Sequence, residues 1–212
     1  MSKWALVGML CLSLMGGALA QEVSMVKLPA PDMRGGKPLM QVLHERHSTR
    51  EFSAKALPQQ ELSNLLWAAA GVNRPQTGQR TAPTARDWRE IDVYVALADG
   101  IYVYEPVGHA LRRVLAGDLR ARTGMQDFVA TAAVNLIYVA NLDRMRDADA
   151  EQKNFYSATD TGFIAQNVYL YCASAGLGTV VRGSVDRDAL AAALGLKPQQ
   201  KIILAQSVGY PK

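Results

Sequence analysis

The spacing of apolar side chains predicts two amphipathic helices in the first third of the chain. Within residues 38–47, Leu39 and Leu43 recur at helical spacing. A second helix is predicted to begin at Pro58 and to end at Gly71, because proline suits the first turn of a helix and glycine its C-terminus. The apolar face of this second helix consists of five side chains: Leu62, Leu65, Leu66, Ala69 and Ala70.

The period of the pattern then changes to two, which indicates β structure. Residues 91–97 alternate, residues 99–100 are Asp-Gly, and residues 101–104 return as an apolar run, so a β-hairpin is predicted here. Residues 132–140 form a β-rich apolar run and predict an interior strand, whereas residues 109–115 predict a short helix.

The C-terminal half predicts further alternation of helices and strands. Residues 157–175 would place apolar side chains on nearly every side of a helix, so a central buried helix is predicted here. A strand is predicted to follow at residues 179–182. Asp186 is the predicted cap of a last helix that ends before Gly195, and residues 202–208 predict the final strand. The order of elements favours a single α+β domain with a mixed sheet.

The N-terminal segment, residues 1–20, has the pattern of a secretory signal peptide. An apolar run at residues 4–14 follows a lysine, and Ala18 and Ala20 form a cleavage site before Gln21. The run is too short for a spanning helix, although an uncleaved N-terminal anchor is the alternative. We therefore expect a periplasmic protein that has no membrane attachment after cleavage.

The remaining sequence divides into a linker at residues 21–36, rich in proline and glycine, and one domain at residues 37–212. The full chain has 23 Lys and Arg against 19 Asp and Glu, a balance that predicts no nucleic-acid partner. Cys172 is the one cysteine beyond the signal segment, so no internal disulfide can form, and it is expected to pack as a buried apolar residue.

Several kinds of catalytic site are excluded by the motifs. His44, His47 and His109 have no spacing typical of a metal site, so no metal is predicted. The sequence has no P-loop, no glycine-rich dinucleotide turn and no Gly-x-Ser-x-Gly elbow. By elimination, the chemistry is expected to come from a bound cofactor.

Basic and hydroxyl side chains are concentrated at the predicted end of the first helix. They are Arg46, His47, Ser48, Thr49 and Arg50. Guanidinium groups offer forked donors and permanent charge, and hydroxyls add neutral donors, so the cluster is suited to a phosphate monoester. The alternative is a solvated helix end whose positive charge complements the helix dipole.

Three segments together resemble the FMN-dependent nitroreductase family. The first, residues 46–52, resembles the motif that holds the FMN phosphate and ribityl chain. The second, residues 68–74 with 80–84, is similar to the loop along the flavin, especially in the SagB-type (azoline oxidase-like) branch. The third, residues 165–183, looks like the core helix, the Gly-x-Gly break and the strand at the flavin edge. The resemblance covers residues 38–211.

The resemblance implies a nitroreductase-like α/β/α sandwich, non-covalent FMN at the interface of a homodimer, and hydride transfer through flavin N5 to or from a small planar substrate. A backbone N–H near N5 is implied and no catalytic side chain. A reductase with two alternating half-reactions, a SagB-type oxidase or dehydrogenase, and a non-catalytic flavin-binding module all remain open. The implied cofactor-binding residues are Arg46, His47, Ser48, Arg50, Asn73, Thr84, Val181, Arg182 and Gly183.

The sequence departs from the family pattern in two places. The basic pair near the C-terminus of many relatives is missing, so that either Lys212 substitutes for it or the phosphate is held less firmly. Arg86 and Trp88 replace small residues of the SagB-like loop; they either narrow the substrate side or simply pack the loop. The side chain of Arg182 is a further candidate, since its charge could offset that of reduced flavin.

Overall fold

The computed structural model describes residues 24–212, so the predicted signal peptide and its cleavage site lie outside the described residues. The first elements are β1 (Met25–Lys27), α1 (Leu39–Glu45), α2 (Gln59–Ala70), β2 (Val72–Arg74) and β3 (Gln79–Arg80). They are followed by β4 (Ile91–Leu97), β5 (Gly100–Glu105), β6 (Ala110–Ala116), β7 (Val134–Asn141) and α3 (Ala150–Ala175). The last are β8 (Gly178–Arg182), α4 (Arg187–Leu194) and β9 (Gln200–Gly209).

Seven strands form one sheet in the order β1-β6-β5-β4-β7-β9-β8, and β2 and β3 form a separate hairpin. The prediction of a single α+β domain is confirmed. The prediction of mixed strand direction is wrong, because every neighbouring pair in the seven-stranded sheet is antiparallel. Strands β7 and β8, which α3 connects, do run the same way, but β9 lies between them and is antiparallel to both. Strand β8 is therefore an edge of the sheet.

Helices cover both faces of the sheet, which gives the expected α/β/α sandwich. Because side chains alternate along a strand, Leu136 and Tyr138 of β7 pack with α2 and α3, whereas Ile137 and Val139 pack with α4. Strand β7, which is central in the sheet, was correctly predicted as interior, and its residues 134–140 are all buried. None of the helices in residues 24–212 is long and apolar enough to span a membrane.

The predicted helix at residues 109–115 is wrong, since these residues form β6. Leu111 pairs with Tyr104 of β5 on one side and with Val26 of β1 on the other. Strand β1 thus draws part of the predicted linker into the sheet. Two flanking strands satisfy the backbone of β6 on both sides, and this pairing overrides the local helical pattern.

Helix α3 differs from its prediction at the start and in its environment. It begins at Ala150, behind a capping box in which Asp149 and Gln152 satisfy each other's backbone N–H groups. It is not buried all round, because Phe155 and Phe163 have 63% and 43% of their surface exposed. It ends as predicted, with Gly176 in the left-handed conformation.

Candidate functional site

The basic segment lies against the free edge of β8. Helix α1 ends at Glu45, and the next residues run extended along the strand, where the Thr49 amide donates to the carbonyl of Thr179 over 2.9 Å. A Cβ on Gly178 would lie 2.8 Å from Thr49 Cγ2, so the glycine permits this close approach. The start of β8 therefore fixes the position of the segment.

Tyr169 of α3 joins the basic segment to β8. Its hydroxyl lies 2.8 Å from Ser48 Oγ and accepts a hydrogen bond of 3.0 Å from the Val181 amide. The guanidinium carbon of Arg46 lies 5.2 Å from the centre of the tyrosine ring, a cation–π distance. The sequence pattern did not single out Tyr169 as a site residue. It lies one helical turn before the buried Cys172, on the same side of α3.

His47 and Arg50 are exposed, as is Ser48. His47 Nδ1 lies 2.8 Å from the carbonyl oxygen of Glu45. The Arg50 side chain is exposed and makes no hydrogen bond or ion pair with any residue from 24 to 212. The C-terminal tail runs beside it, because the Lys212 amide donates to the carbonyl of Glu51. Two guanidiniums, an imidazole and a terminal lysine thus share one corner of the molecule.

A cavity of about 180 Å³ opens between the end of α1, the end of α3 and the start of β8. His47, Thr49, Tyr169, Gly178 and Pro211 are among its lining residues. The cavity shows that the basic segment borders open space rather than packed core.

Strand β8 presents its free amides at every second residue. Thr179 and Val181 turn their backbone groups outward, toward Thr49 and Tyr169, so Arg182 between Val181 and Gly183 turns its groups toward β9. By the same alternation, the next outward amide belongs to Gly183. Gly183 is exposed, and a Cβ built there would meet only Leu204, at 4.0 Å. Its N–H makes no hydrogen bond within residues 24–212, whereas its carbonyl accepts from the Val185 amide and from Arg187 Nη1.

The side chain of Arg182 lies on the opposite face of the sheet from Tyr169. It is buried, with Nη1 donating to the carbonyl of Thr123 over 2.9 Å and Nη2 donating to Asn135 Oδ1 over 3.2 Å. Burial lowers the pKa of Arg182 to about 10. The expectation that this charge offsets that of a reduced flavin is therefore wrong; the side chain ties β8 to β7 and to the segment at residue 123.

Asn73 and Thr84 make no hydrogen bond to the basic segment. Asn73 is exposed on β2 and lines an open groove with Trp67 and Asn167, between α2 and α3. Thr84 Oγ1 donates to Glu90 Oε2 over 3.2 Å and accepts from the backbone amide of Arg89 over 3.1 Å. Of the predicted site residues, the structure brings Arg46, Ser48 and Val181 together around Tyr169 and leaves these two elsewhere.

Arg86 and Trp88 pack the loop before β4. Arg86 Nη1 and Trp88 Nε1 each donate to Asp147 over 2.8 Å, and the guanidinium lies 5.3 Å from the centre of the tryptophan ring. Trp88 also contacts Tyr156 edge to face, at 5.6 Å between ring centres. These contacts favour the packing role over a role in narrowing the substrate side.

A buried carboxyl pair, missed in the sequence, fastens the same loop to α3. Glu90 is fully buried next to Asp160, whose Oδ2 accepts a hydrogen bond of 2.8 Å from the Ala85 amide. Burial, and then the negative charge of Asp160, raise the pKa of Glu90 to about 7. The sequence offered no signal for this pair, because the two residues are 70 positions apart and meet only in the fold.

Cys172 is fully buried, as expected, and burial raises the pKa of its thiol. Within residues 24–212, no three His, Cys, Asp or Glu side chains lie close enough together to hold a metal ion. The basic segment and the outward edge of β8 are thus the best candidate for a ligand site.

Comparison with known proteins gives three further findings. The model of the nitroreductase family matches residues 43–210. A protein of Methanocaldococcus jannaschii that is named as a nitroreductase is 34% identical over 169 residues, covering 75% of this chain and 84% of that protein. A crystal structure of a Ralstonia eutropha protein, also named as a nitroreductase, has a TM-score of 0.85 and 49% identity, covering 89% of this chain and 90% of the other.

A more distant structure has a bound flavin. It is a protein of Desulfovibrio desulfuricans, named as a nitroreductase in complex with FMN, with a TM-score of 0.60 and 21% identity. The match covers 82% of this chain and 87% of that one, and at this identity it shows the shared fold.

Proposed function

Because the chain belongs to the nitroreductase family, we propose that it is an FMN-dependent oxidoreductase that transfers hydride through flavin N5 to or from a small planar substrate. One observation carries the proposal. The basic segment lies against the edge of β8, and this edge continues to the exposed amide of Gly183. The basic segment suited to a phosphate and a candidate backbone donor thus lie on one continuous surface.

The residues present fit the cofactor. Arg46 and Arg50 would supply charge to the phosphate and Ser48 a hydroxyl donor, with His47 beside them. Arg50 has no partner among the described residues, so its guanidinium is free for an anion. The two residues from Val181 to Gly183 advance the strand by roughly 7 Å, which separates the phosphate end from the redox end.

The type of cofactor determines which roles are left for the residues of the protein. Bound flavin supplies the two-electron chemistry, so that no side chain has to act as a nucleophile. The chain itself would hold the phosphate at the basic segment and offer the Gly183 N–H as a hydrogen-bond donor near N5. Val181 would line the site without donating, because its amide is occupied by Tyr169.

The remaining expectations are part of the same proposal. We propose non-covalent FMN, a homodimer, and placement in the SagB-type branch on the resemblance of residues 68–74 and 80–84. Exposed apolar side chains support the dimer: Leu39, Met40, Leu43, Phe155 and Phe163. If the signal peptide directs export, the flavin needs an electron donor that is present in the periplasm. NADH and NADPH form cytoplasmic pools and are not available there.

The experiment that tests the function is flavin reconstitution. The mature protein is incubated with FMN, freed of excess by gel filtration, and examined for a visible flavin spectrum and for its oligomeric mass. Anaerobic addition of NADH or NADPH then tests the reductase, and oxygen consumption with candidate substrates tests the oxidase. A protein that retains no flavin would refute the proposal.

Arg50→Ala is expected to raise the dissociation constant for FMN about tenfold, because it removes a free guanidinium from the phosphate site. Fluorescence titration of apoprotein with FMN measures the effect. Arg34→Ala is the matched control, since Arg34 is also exposed and, within residues 24–212, has its one ion pair with Asp32. Equal FMN affinity in Arg50→Ala and wild type would contradict the assignment of Arg50.

A further inference from the structure

The Tyr169 hydroxyl has two partners that belong to different parts of the proposed site. Ser48 is in the phosphate segment and Val181 is in the strand that leads to the redox end. Since both partners lie within 3.0 Å of the same oxygen, they are less than about 6 Å from each other by simple geometry. The side chain of Tyr169 therefore lies at the point where the two ends of the proposed site meet.

An edge strand offers a ligand several equivalent positions. Its outward amides repeat every two residues, or roughly every 7 Å, so a flavin that needs one backbone donor could bind at either of two neighbouring positions on β8. In the structure, the carbonyl of Thr179 is occupied by Thr49 and the amide of Val181 by Tyr169. Beyond Val181, the next amide on this side of the chain is that of Gly183, for which no hydrogen bond occurs within residues 24–212.

We propose that Tyr169 is a positioning residue that sets the register of the cofactor along β8, an inference that rests on the proposed function. Its hydroxyl occupies the Val181 amide, so that of the two neighbouring positions, Val181 and Gly183, it is Gly183 that is left to donate to N5. The phosphate is simultaneously held at the distance that this register requires, because the same hydroxyl bonds Ser48.

The direction of the hydrogen bonds supports this role. The Tyr169 oxygen accepts from the Val181 N–H, and its own proton can then be donated to Ser48 Oγ. Ser48 is left with its hydroxyl proton free, which is the state required to donate to a phosphate oxygen. A phenylalanine could keep the ring beneath Arg46 but could not connect these two groups.

The test compares Tyr169→Phe with Tyr171→Phe. The control residue lies two positions further along α3 and donates its hydroxyl to Glu61 Oε2 over 2.8 Å, away from the basic segment. In Tyr169→Phe we expect the dissociation constant for FMN to rise about tenfold and the visible spectrum of bound flavin to change, because the Val181 amide becomes a second donor. In Tyr171→Phe we expect wild-type FMN affinity and spectrum.

A double-mutant cycle with Ser48→Ala separates positioning from a general structural effect. If Tyr169 acts through Ser48, the two substitutions together weaken FMN binding by less than the product of their separate factors. Wild-type FMN affinity and spectrum in Tyr169→Phe would overturn the inference, and so would a drop in the melting temperature of the apoprotein with unchanged FMN affinity. Absence of FMN binding in wild type and in Tyr171→Phe would instead refute the proposed function.

Discussion

Gly124→Ala is expected to lower the free energy of unfolding by about 3 kcal/mol, through displacement of a buried guanidinium. A Cβ at this position would overlap Nη1 of Arg182 and lie 2.9 Å from its Cζ. The backbone of Gly124 is extended, so the conformation itself does not require glycine. What requires glycine is the space that the Arg182 side chain occupies.

Arg182 cannot move away without a loss of stability. Its side chain is only 3% exposed and makes no ion pair within residues 24–212, so the backbone carbonyl of Thr123 and the amide of Asn135 are what stabilise its charge. Asn135 Oδ1 also accepts from Ser207 Oγ over 2.6 Å, which links the guanidinium to β9. Displacement would break both hydrogen bonds of a desolvated cation, the situation in which buried charges are most costly.

Thermal denaturation measures this effect, and roughly 10 °C of lowered melting temperature corresponds to the expected loss for a domain of this size. Gly162→Ala is the control, because a Cβ there would meet no atom of residues 24–212 within 4 Å apart from its own helix, and alanine in a helix interior should stabilise slightly. In an Arg182→Met background the cost of Gly124→Ala should largely disappear. The same cost in both backgrounds would show that the guanidinium is not the cause.

The elements with local signals were predictable from the sequence. Helix α2 ends before Gly71 and helix α4 before Gly195, which is in the left-handed conformation. The hairpin of β4 and β5 turns one residue earlier than predicted, at residues 98 and 99, with Gly100 as the first residue of β5. Each of these signals lies within a few residues of the element that it ends. The local sequence pattern is therefore enough to predict where that element ends.

The elements that depend on distant partners were not predictable in the same way. Strand β6 is a strand because β1 and β5 flank it, and the insertion of β9 between β7 and β8 involves chain segments far apart in sequence. The start of α3 is a different case, since its capping box of Asp149 and Gln152 was visible in the sequence and was overlooked.

The residues of the candidate site show the same difference between local and distant signals. The basic residues 46–50 were visible as a cluster because they are contiguous. Tyr169 and the pair of Glu90 and Asp160 became visible only through the fold, since Ser48 is 121 positions from Tyr169 and Glu90 is 70 positions from Asp160. A single tyrosine or aspartate on a helix has no sequence signature that separates it from an ordinary exposed or packing residue.

Glu90 is expected to make the protein less stable at pH 8 than at pH 5. Its pKa is raised from 4.5 to about 7 in the folded state, so between these values the folded protein binds more protons than the unfolded chain. Stability therefore falls as the pH rises through this window: the contribution is fully present below about pH 4.5 and lost above about pH 7. The shift corresponds to a difference of about 3 kcal/mol at most.

The surroundings of Glu90 explain why its proton is retained. Thr84 donates to Oε2, whereas Oε1 is buried without a partner unless it carries a proton that Asp160 can accept. Two cations line the same small cavity, but neither is paired with Glu90, because Arg80 Nη1 donates to the carbonyl of Ile91 and Arg89 pairs with Asp87. A deprotonated Glu90 would thus face Asp160 with no counter-ion of its own.

Glu90→Gln is the variant that isolates this proton, since an amide keeps a donor and an acceptor at the position but does not titrate. Urea denaturation should give wild-type stability at pH 5 and a gain of about 2 kcal/mol over wild type at pH 8. Glu105→Gln, which alters an exposed ion pair with Arg112, is the matched control and should show no such gain. If Glu90→Gln and wild type lose stability in parallel between these pH values, another group titrates. If the gain occurs, the proton on Glu90 helps to hold the segment from Thr84 to Glu90 against α3. The loop that the family resemblance places along the flavin is then held most firmly below pH 7.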